Sequence, residues 1–198
     1  TNDIYYGMTL INEDVNIPGW KKSQYFLNKN QNVKIEYGIN KNGDLSDVEN
    51  LKYCYEKYKN SIDIITGDGG FDFSVDFNKQ EIVSTKLILY QICFAISMQK
   101  EGGIFILKFF DLFTEASVDL IYLLSLCYEK IYIVKPFTSR YANSEKYIVC
   151  KKFKSFNVKS ILDKIILNYG DINNDEKFLK RILNINIPYF FLNKLEEY

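Results

Sequence analysis

Ile104-Phe105-Ile106-Leu107 is an unbroken apolar run between a Gly102-Gly103 pair and Lys108. Alternating apolar and polar residues would suit a strand with one wet face. A continuous run requires burial on both faces, as in the central strand of a sheet covered by helices. A shorter run, Ile62-Asp63-Ile64-Ile65, ends in Gly67-Asp68-Gly69-Gly70. Two such strands bound by glycine and charge call for helical layers to cover them.

The intervening pattern supplies those layers. Val48, Leu51, Tyr55 and Tyr58 recur at helical spacing within residues 47–60. Ser46 is the expected N-cap and Glu49 completes a capping box. Residues 81–99 give the longest helix candidate, with Leu87, Tyr90, Gln91, Phe94 and Met98 on one stripe and Glu101-Gly102-Gly103 as its stop. A further helix is expected over 116–127 and a strand over 130–134. Tyr147-Ile148-Val149-Cys150 closes the sheet. The connection from Thr138 to Glu145 is too short for a crossover helix, so this last strand should run antiparallel to its neighbour.

Towards the N-terminus, residues 5–10 and 33–37 read as strands, residues 40–44 as a turn, and Pro18-Gly19-Trp20 as part of a polar loop. Strands alternating with helices predict an α/β fold over residues 1–155: a doubly wound, Rossmann-like sheet with an antiparallel last strand. Residues 156–198, with helical pieces expected over 158–167 and 175–183, form a C-terminal extension.

The chain has 198 residues, 25 basic and 25 acidic, so overall charge does not by itself point to nucleic acid. It has no histidine, which excludes Ser-His-Asp and Cys-His catalysis and any imidazole metal ligand. No metal is expected. Cys54, Cys93, Cys127 and Cys150 form no CxxC pair and each sits in an apolar stretch, as buried free thiols do. No apolar run reaches the roughly 18–20 residues that cross a bilayer, so no membrane partner is expected. The opening Thr1-Asn2-Asp3-Ile4 reads as the start of an excised or processed fragment.

In an open α/β sheet, ligands bind beyond the carboxyl ends of the strands. Asp68 and Lys108 each follow an apolar strand, and Glu145 precedes the last one. These ionisable residues therefore converge on one edge. An internal ion pair stabilising the strand ends would look the same.

Around these residues the chain resembles the FtsJ-like 2′-O-ribose methyltransferases. The resemblance runs from about residue 5 to 154 through Asp68-Gly69-Gly70-Phe71, Asn78-Lys79-Gln80-Glu81, Gly102–Lys108, Phe110-Asp111-Leu112-Phe113-Thr114, Lys135-Pro136-Phe137-Thr138-Ser139-Arg140 and Ala142-Asn143-Ser144-Glu145-Lys146-Tyr147. It looks closest to the cap-specific enzymes of eukaryotes and large DNA viruses. The resemblance implies S-adenosyl-L-methionine as cofactor, capped mRNA as partner and the 2′-oxygen of the first transcribed nucleotide as methyl acceptor.

Of the family's Lys-Asp-Lys-Glu tetrad, the resemblance places Asp on Asp68, the second Lys on Lys108 and Glu on Glu145. Lys108 would be the general base. A lysine amine made neutral by desolvation or by a second lysine accepts a hydroxyl proton. Asp68 would hold Lys108 and face the cofactor's methyl group, and Glu145 would orient the lysines' surroundings. Asn143 and Asn78 would contact substrate. Gly43-Asp44-Leu45 aligns with the segment touching the cofactor's adenosine, giving Asp44 and Leu45 as cofactor contacts. Lys135, Ser139 and Arg140, around a proline turn, would bind cap or RNA phosphates. Trp20 would pack in its loop rather than stack on a base.

The family's glycine-rich cofactor motif and first lysine lie upstream of the matching region. They are expected from a missing N-terminal portion of the same catalytic domain. An rRNA 2′-O-methyltransferase and a non-catalytic RNA-binding subunit are the competing readings. The expected location is the nucleus for a cellular enzyme, and the cytoplasm or virion for a viral one.

Overall fold

A computed structural model describes residues 3–12, 19–70, 80–140, 142–155, 158–174, 180–183 and 185–197, apart from the side chains of 167–174. In chain order the elements are β1 (Tyr5–Gly7), a 3-10 turn (Trp20–Ser23), α1 (Gln24–Lys29), β2 (Val33–Ile35), α2 (Val48–Tyr58), β3 (Ile62–Gly67), α3 (Gln80–Met98), β4 (Gln99–Phe109), α4 (Glu115–Cys127), β5 (Tyr128–Val134), β6 (Lys146–Phe153), α5 (Val158–Asn174) and α6 (Tyr189–Glu196).

The strand over 62–67 and the run at 104–107 become β3 and β4, paired in parallel through Ile64–Ile104 to Gly67–Leu107. β6 inserts between β4 and β5 and runs antiparallel to both, giving the order β3-β4-β6-β5. The expected α/β fold with an antiparallel last strand is present. Beside the four-stranded sheet, β1 and β2 form a separate parallel pair. Among the described residues no strand joins the two sheets.

One face of β4 is fully buried, with Phe105 and Leu107 at 0% exposure, while Ile104 and Ile106 on the other face are half-exposed, so the two-faced burial expected of the apolar run is not met. α3 packs on β4. This 19-residue helix is apolar nearly all round, with mean hydropathy 1.4 over its most apolar window, enough by length and composition to cross a membrane. It is buried inside the protein instead, between α2, α4, α5 and the sheet. A helix surrounded by other layers has no polar face to show. All four cysteines are buried free thiols.

Several boundaries differ from expectation for identifiable reasons. α2 is capped by Asp47, whose side chain accepts from the Glu49 N–H, and not by Ser46. Ser46 is already held in a turn, its N–H donating to Asp44 Oδ1 at 2.8 Å. Thr114 caps α4, and Glu81 at the start of α3 accepts from both the N–H and the hydroxyl of Thr114, at 2.7 and 2.8 Å. Of the helix expected over 175–183, residues 175–179 lie outside the described set and 180–183 are not helical. The N–H groups of Ile182 and Leu183, which a helix would use internally, donate to Asp119 Oδ2 at 2.7 and 3.0 Å. Arg181 Nε joins them at 2.9 Å.

Two buried carboxylates fasten the outlying segments. Asp119, fully buried on α4, clamps residues 181–183. Glu36, 8% exposed, anchors the end of β2 to α2. Its Oε1 accepts from the N–H groups of Tyr37 and Gly38, at 3.0 and 2.9 Å. Its Oε2 accepts from Lys57 Nζ at 2.7 Å and from the Tyr58 hydroxyl. Burial pushes this carboxyl up, but donation from Lys57, Tyr58 and Gly38 outweighs it and holds the pKa below the ordinary value.

The stability Glu36 contributes is therefore fully present above the unfolded glutamate pKa of about 4.3 and lost as pH falls through the lower folded value. Glu36→Gln should cost about 2 kcal/mol at pH 7, because charge-assisted hydrogen bonds are lost, and should flatten this acid dependence. Thermal melts at pH 7 and pH 3 read both effects, and an unchanged acid slope would refute the assignment. Arg181→Ala removes the countercharge from buried Asp119 and should free residues 185–197. Chymotrypsin should then cut at Tyr189 and Phe190 faster than in the unaltered protein, with cleavage elsewhere unchanged.

Candidate functional site

Register decides what meets at the sheet's edge. Gly67 pairs with Leu107, so Asp68 and Lys108 follow on adjacent strands. Lys108 faces Tyr147 on β6, and Tyr147 faces Val134 on β5, so one row crosses three strands. The loops after β3, β4 and β5 all leave at this end.

Lys108, its side chain 18% exposed, reaches toward β3. Its Nζ lies 3.1 Å from Asp68 Oδ1 and donates to the Asp68 carbonyl at 3.1 Å. The Asp68 side chain is 71% exposed, leaving it open to a ligand. A methyl group on Gly70 would stand 3.2 Å from Lys108 Nζ, so the glycine lets backbone and amine approach. The glycine turn is tethered from below, where Gly69 N–H donates to Gln91 Oε1 at 2.8 Å. Gln91 is buried in α3 and also donates to the Leu87 carbonyl.

Glu145 enters from the start of β6. Its Oε1 accepts from the Tyr147 hydroxyl at 3.0 Å. Burial, the hydrogen bond to Glu145 and the charge of Asp68 push the Tyr147 phenol up to about 12. Tyr147 therefore stays a neutral donor near neutral pH, in the field of both carboxylates. Asp68, Lys108 and Glu145 come together around it.

Asn143 lies in the β5–β6 loop. Its N–H donates to the Arg140 carbonyl, and its Oδ1 accepts from Ser139 Oγ at 3.1 Å. Lys135, expected to meet phosphates, turns inward: its Nζ donates to the Asn143 carbonyl at 2.5 Å, to Asn143 Oδ1 and to the Glu145 carbonyl at 2.9 Å. Arg140 is exposed. Asn78 lies outside the described residues, as do Pro18 and Phe71. Gln80 just beyond Asn78 accepts from Ser144 Oγ at 2.8 Å, tying the segment that follows Asn78 to the one holding Asn143.

Asp44 and Leu45 sit apart from this network, in the turn before α2. Asp44 Oδ1 holds the Ser46 N–H, its carbonyl accepts from fully buried Asn50 at 3.0 Å, and Leu45 packs on the core. The Asp44 charge reaches Tyr90 on α3, whose phenol is pushed up to about 12 by burial first, then Cys93, then Asp44. A half-buried carboxylate on a preformed turn suits an amine or hydroxyl donor of a small ligand. Trp20 packs against Gly7, where an added methyl would lie 2.5 Å from its ring.

Sequence reading missed Gln91 and Tyr147. The signal for Gln91 was a polar residue inside an otherwise apolar helix. For Tyr147 it was strand alternation, which puts residues 145 and 147 on one face. The chemistry of the cluster is clear: a lysine held by a carboxylate at an open edge, beside a tyrosine-supported glutamate, with an asparagine and a serine on the rim. Among the described residues no cluster of acidic or sulfur ligands could hold a metal.

The profile of the FtsJ-like methyltransferases matches residues 11–153. A cap-specific mRNA (nucleoside-2′-O-)-methyltransferase 1A of Caenorhabditis briggsae is 34% identical over 91% of this chain and 23% of its own length. The methyltransferase 1 of Homo sapiens is 42% identical over 60% of this chain and 15% of its own. An inactive methyltransferase 1B of Caenorhabditis briggsae is 31% identical over 91% of this chain and 24% of its own. A solved ribosomal RNA methyltransferase of Plasmodium falciparum, 25% identical, covers 62% of this chain and 64% of its own with a TM-score of 0.44. The chain thus spans between 15% and 24% of the curated relatives it matches. With the profile match spanning both the sheet and its charged edge, the chain belongs to the FtsJ-like methyltransferase family.

Proposed function

We propose that this chain carries the substrate side of a cap 2′-O-methyltransferase, which methylates the ribose 2′-oxygen of the first transcribed nucleotide of capped mRNA with S-adenosyl-L-methionine. The observation that carries the reading is Lys108, held 3.1 Å from Asp68 at the open end of β4. The cap-specific relatives support the substrate assignment.

S-adenosyl-L-methionine supplies an electrophilic methyl group when bound. Asp44 and Leu45 would hold its adenosine, and Asp68, its side chain open to solvent, would face its reacting end. In its neutral amine form Lys108 Nζ would take the proton of the 2′-hydroxyl as that oxygen bonds to the methyl group, leaving an ammonium beside Asp68. The ion pair with Asp68 fixes the direction of the amine, and much of the rate comes from this orientation. Tyr147 holds Glu145 so that its carboxylate faces the lysine region. Asn143, Asn78, Ser139 and Arg140 would contact the RNA, with Gln80 and Ser144 keeping two of those segments together. A cellular enzyme of this kind would work in the nucleus.

The glycine-rich loop and first lysine would come from an upstream portion of the same domain. Two features support this. The chain is a fraction of its relatives' length. β3, β1 and β2 each pair on one side only among the described residues, while Ile64, Tyr5 and Tyr6 expose 62%, 54% and 43% of their surface. Open apolar edges of this kind invite a further strand. Amide exchange tests the idea: β3 amides that point away from β4 should exchange slowly in the complete protein and fast in this chain alone. Equal rates would refute it.

The complete protein, offered capped RNA and labelled cofactor, should methylate the first nucleotide. Lys108→Ala should reduce transfer by about 10²–10⁴-fold, the usual contribution of a general base. Transfer to uncapped rRNA but not to capped RNA would overturn the cap assignment. The inactive 1B relative keeps a second reading in play, a non-catalytic RNA-binding subunit. RNA binding without any transfer would favour that reading.

A further inference from the structure

The loop from Val134 to Lys146 is knit by its own hydrogen bonds. Ser139 N–H donates to the Pro136 carbonyl at 3.0 Å and Asn143 N–H to the Arg140 carbonyl at 3.2 Å. Across its base lies Lys135. An ammonium has three protons. The Lys135 group has three acceptors: the carbonyl and side-chain oxygens of Asn143 and the carbonyl of Glu145. With these made, it has no proton left for a phosphate. Asn143 Oδ1 is filled as well, since it accepts from both Lys135 and Ser139 Oγ and a carbonyl oxygen has two lone pairs. This network also fixes which end of the Asn143 amide is which. What remains for substrate is the amide NH2, a donor.

We propose that Lys135 is a positioning residue. It braces the Asn143–Glu145 segment from inside the loop and presents the Asn143 amide NH2 to an acceptor oxygen, ribose or phosphate, of the bound RNA. The RNA phosphates are met by other groups. The inference rests on the function proposed above, and it separates two roles that a basic residue in such a loop could have. A phosphate ligand contributes charge, and its loss lowers the salt dependence of binding. A brace contributes geometry, and its loss lowers turnover without altering that dependence. Lys135→Met is the informative change, because it keeps the unbranched stem and removes the three donors.

The test uses the complete protein and a short capped single-stranded RNA. Dissociation constants are measured across a salt series, turnover at saturating RNA, and backbone amide exchange over residues 142–146. In Lys135→Met, turnover should fall at least tenfold, the salt slope should stay as in the unaltered protein, and exchange over 142–146 should quicken at least tenfold while β4 stays protected. Adding Asn143→Ala to Lys135→Met should reduce turnover by less than it does alone, because the two residues act through one interaction with the RNA. Lys135→Arg, which keeps the charge but spreads its donors over a planar fork, should fall between the two.

A salt slope shallower by about 0.7, the change expected when one phosphate of a single strand is no longer neutralised, would overturn the proposal. So would unchanged exchange over 142–146. If the unaltered protein transfers no methyl group to capped RNA, the proposed function fails, and amide exchange still decides whether Lys135 is the brace. If Lys135→Met does not fold, Ser139→Ala, which removes only the second donor to Asn143 Oδ1, must give a smaller shift of the same pattern or the proposal falls.

Discussion

Hydrogen bonding along both edges of β4 sets the terms for everything around it. β3 binds one edge in parallel and β6 the other in antiparallel sense, so both backbone edges are closed while Ile104, Ile106 and Lys108 leave one face half-exposed. Phe105, Leu107 and Phe109 follow as 0–1% exposed residues, and α3 must be apolar nearly all round to lie over them. A charged side chain has no place on that buried face and is tolerated on the half-exposed one, near the strand's end. Lys108 stands there, and the same exit point brings it to Asp68 on β3 and opposite Tyr147 on β6. Packing and chemistry thus have one origin.

Polar groups in this protein fall into two kinds. Glu36, Asn50 and Asp119 are nearly or fully buried, and each collects several donors or acceptors that offset desolvation, although all three donors to Asp119 meet Oδ2 and its buried Oδ1 has no hydrogen-bond partner. Asp68 and Arg140 are left in solvent with capacity to spare. Lys108 lies between, mostly shielded but facing the edge. Lys135 shows why exposure alone is a poor guide. It counts as exposed, yet its ammonium is taken up by its own loop.

Much of this was legible in the chain. The run at 104–107 announced β4, and the short connection before 147 gave the antiparallel sense of β6. Asp68 and Lys108 stood out because each follows an apolar run and Glu145 because it precedes one, and the family resemblance singled out all three. What escaped depended on partners distant in sequence. The N-cap fell to Asp47 because Asp44 had already claimed the Ser46 N–H. Residues 182 and 183 are not helical because Asp119, more than sixty positions earlier, takes their N–H groups. Lys135 looked like a phosphate ligand because composition cannot reveal that its acceptors lie eight and ten residues on. The separation of β1 and β2 from the main sheet is likewise a matter of which edges find a mate.

The position of β6 has a temporal side. β4 and β5 are joined through α4, and β6 enters between them although it comes last in sequence. The slot must be open before the strand can take it, and pairing across such separations is slow to form. Lys108 and Tyr147 meet when that strand docks, and the Asn143–Glu145 segment is drawn to the edge by the same event. A chain stalled one step short would hold much of its core and the Lys108–Asp68 pair, with neither Tyr147 nor Glu145 beside it. Docking of the last strand and completion of the charged edge are therefore a single step.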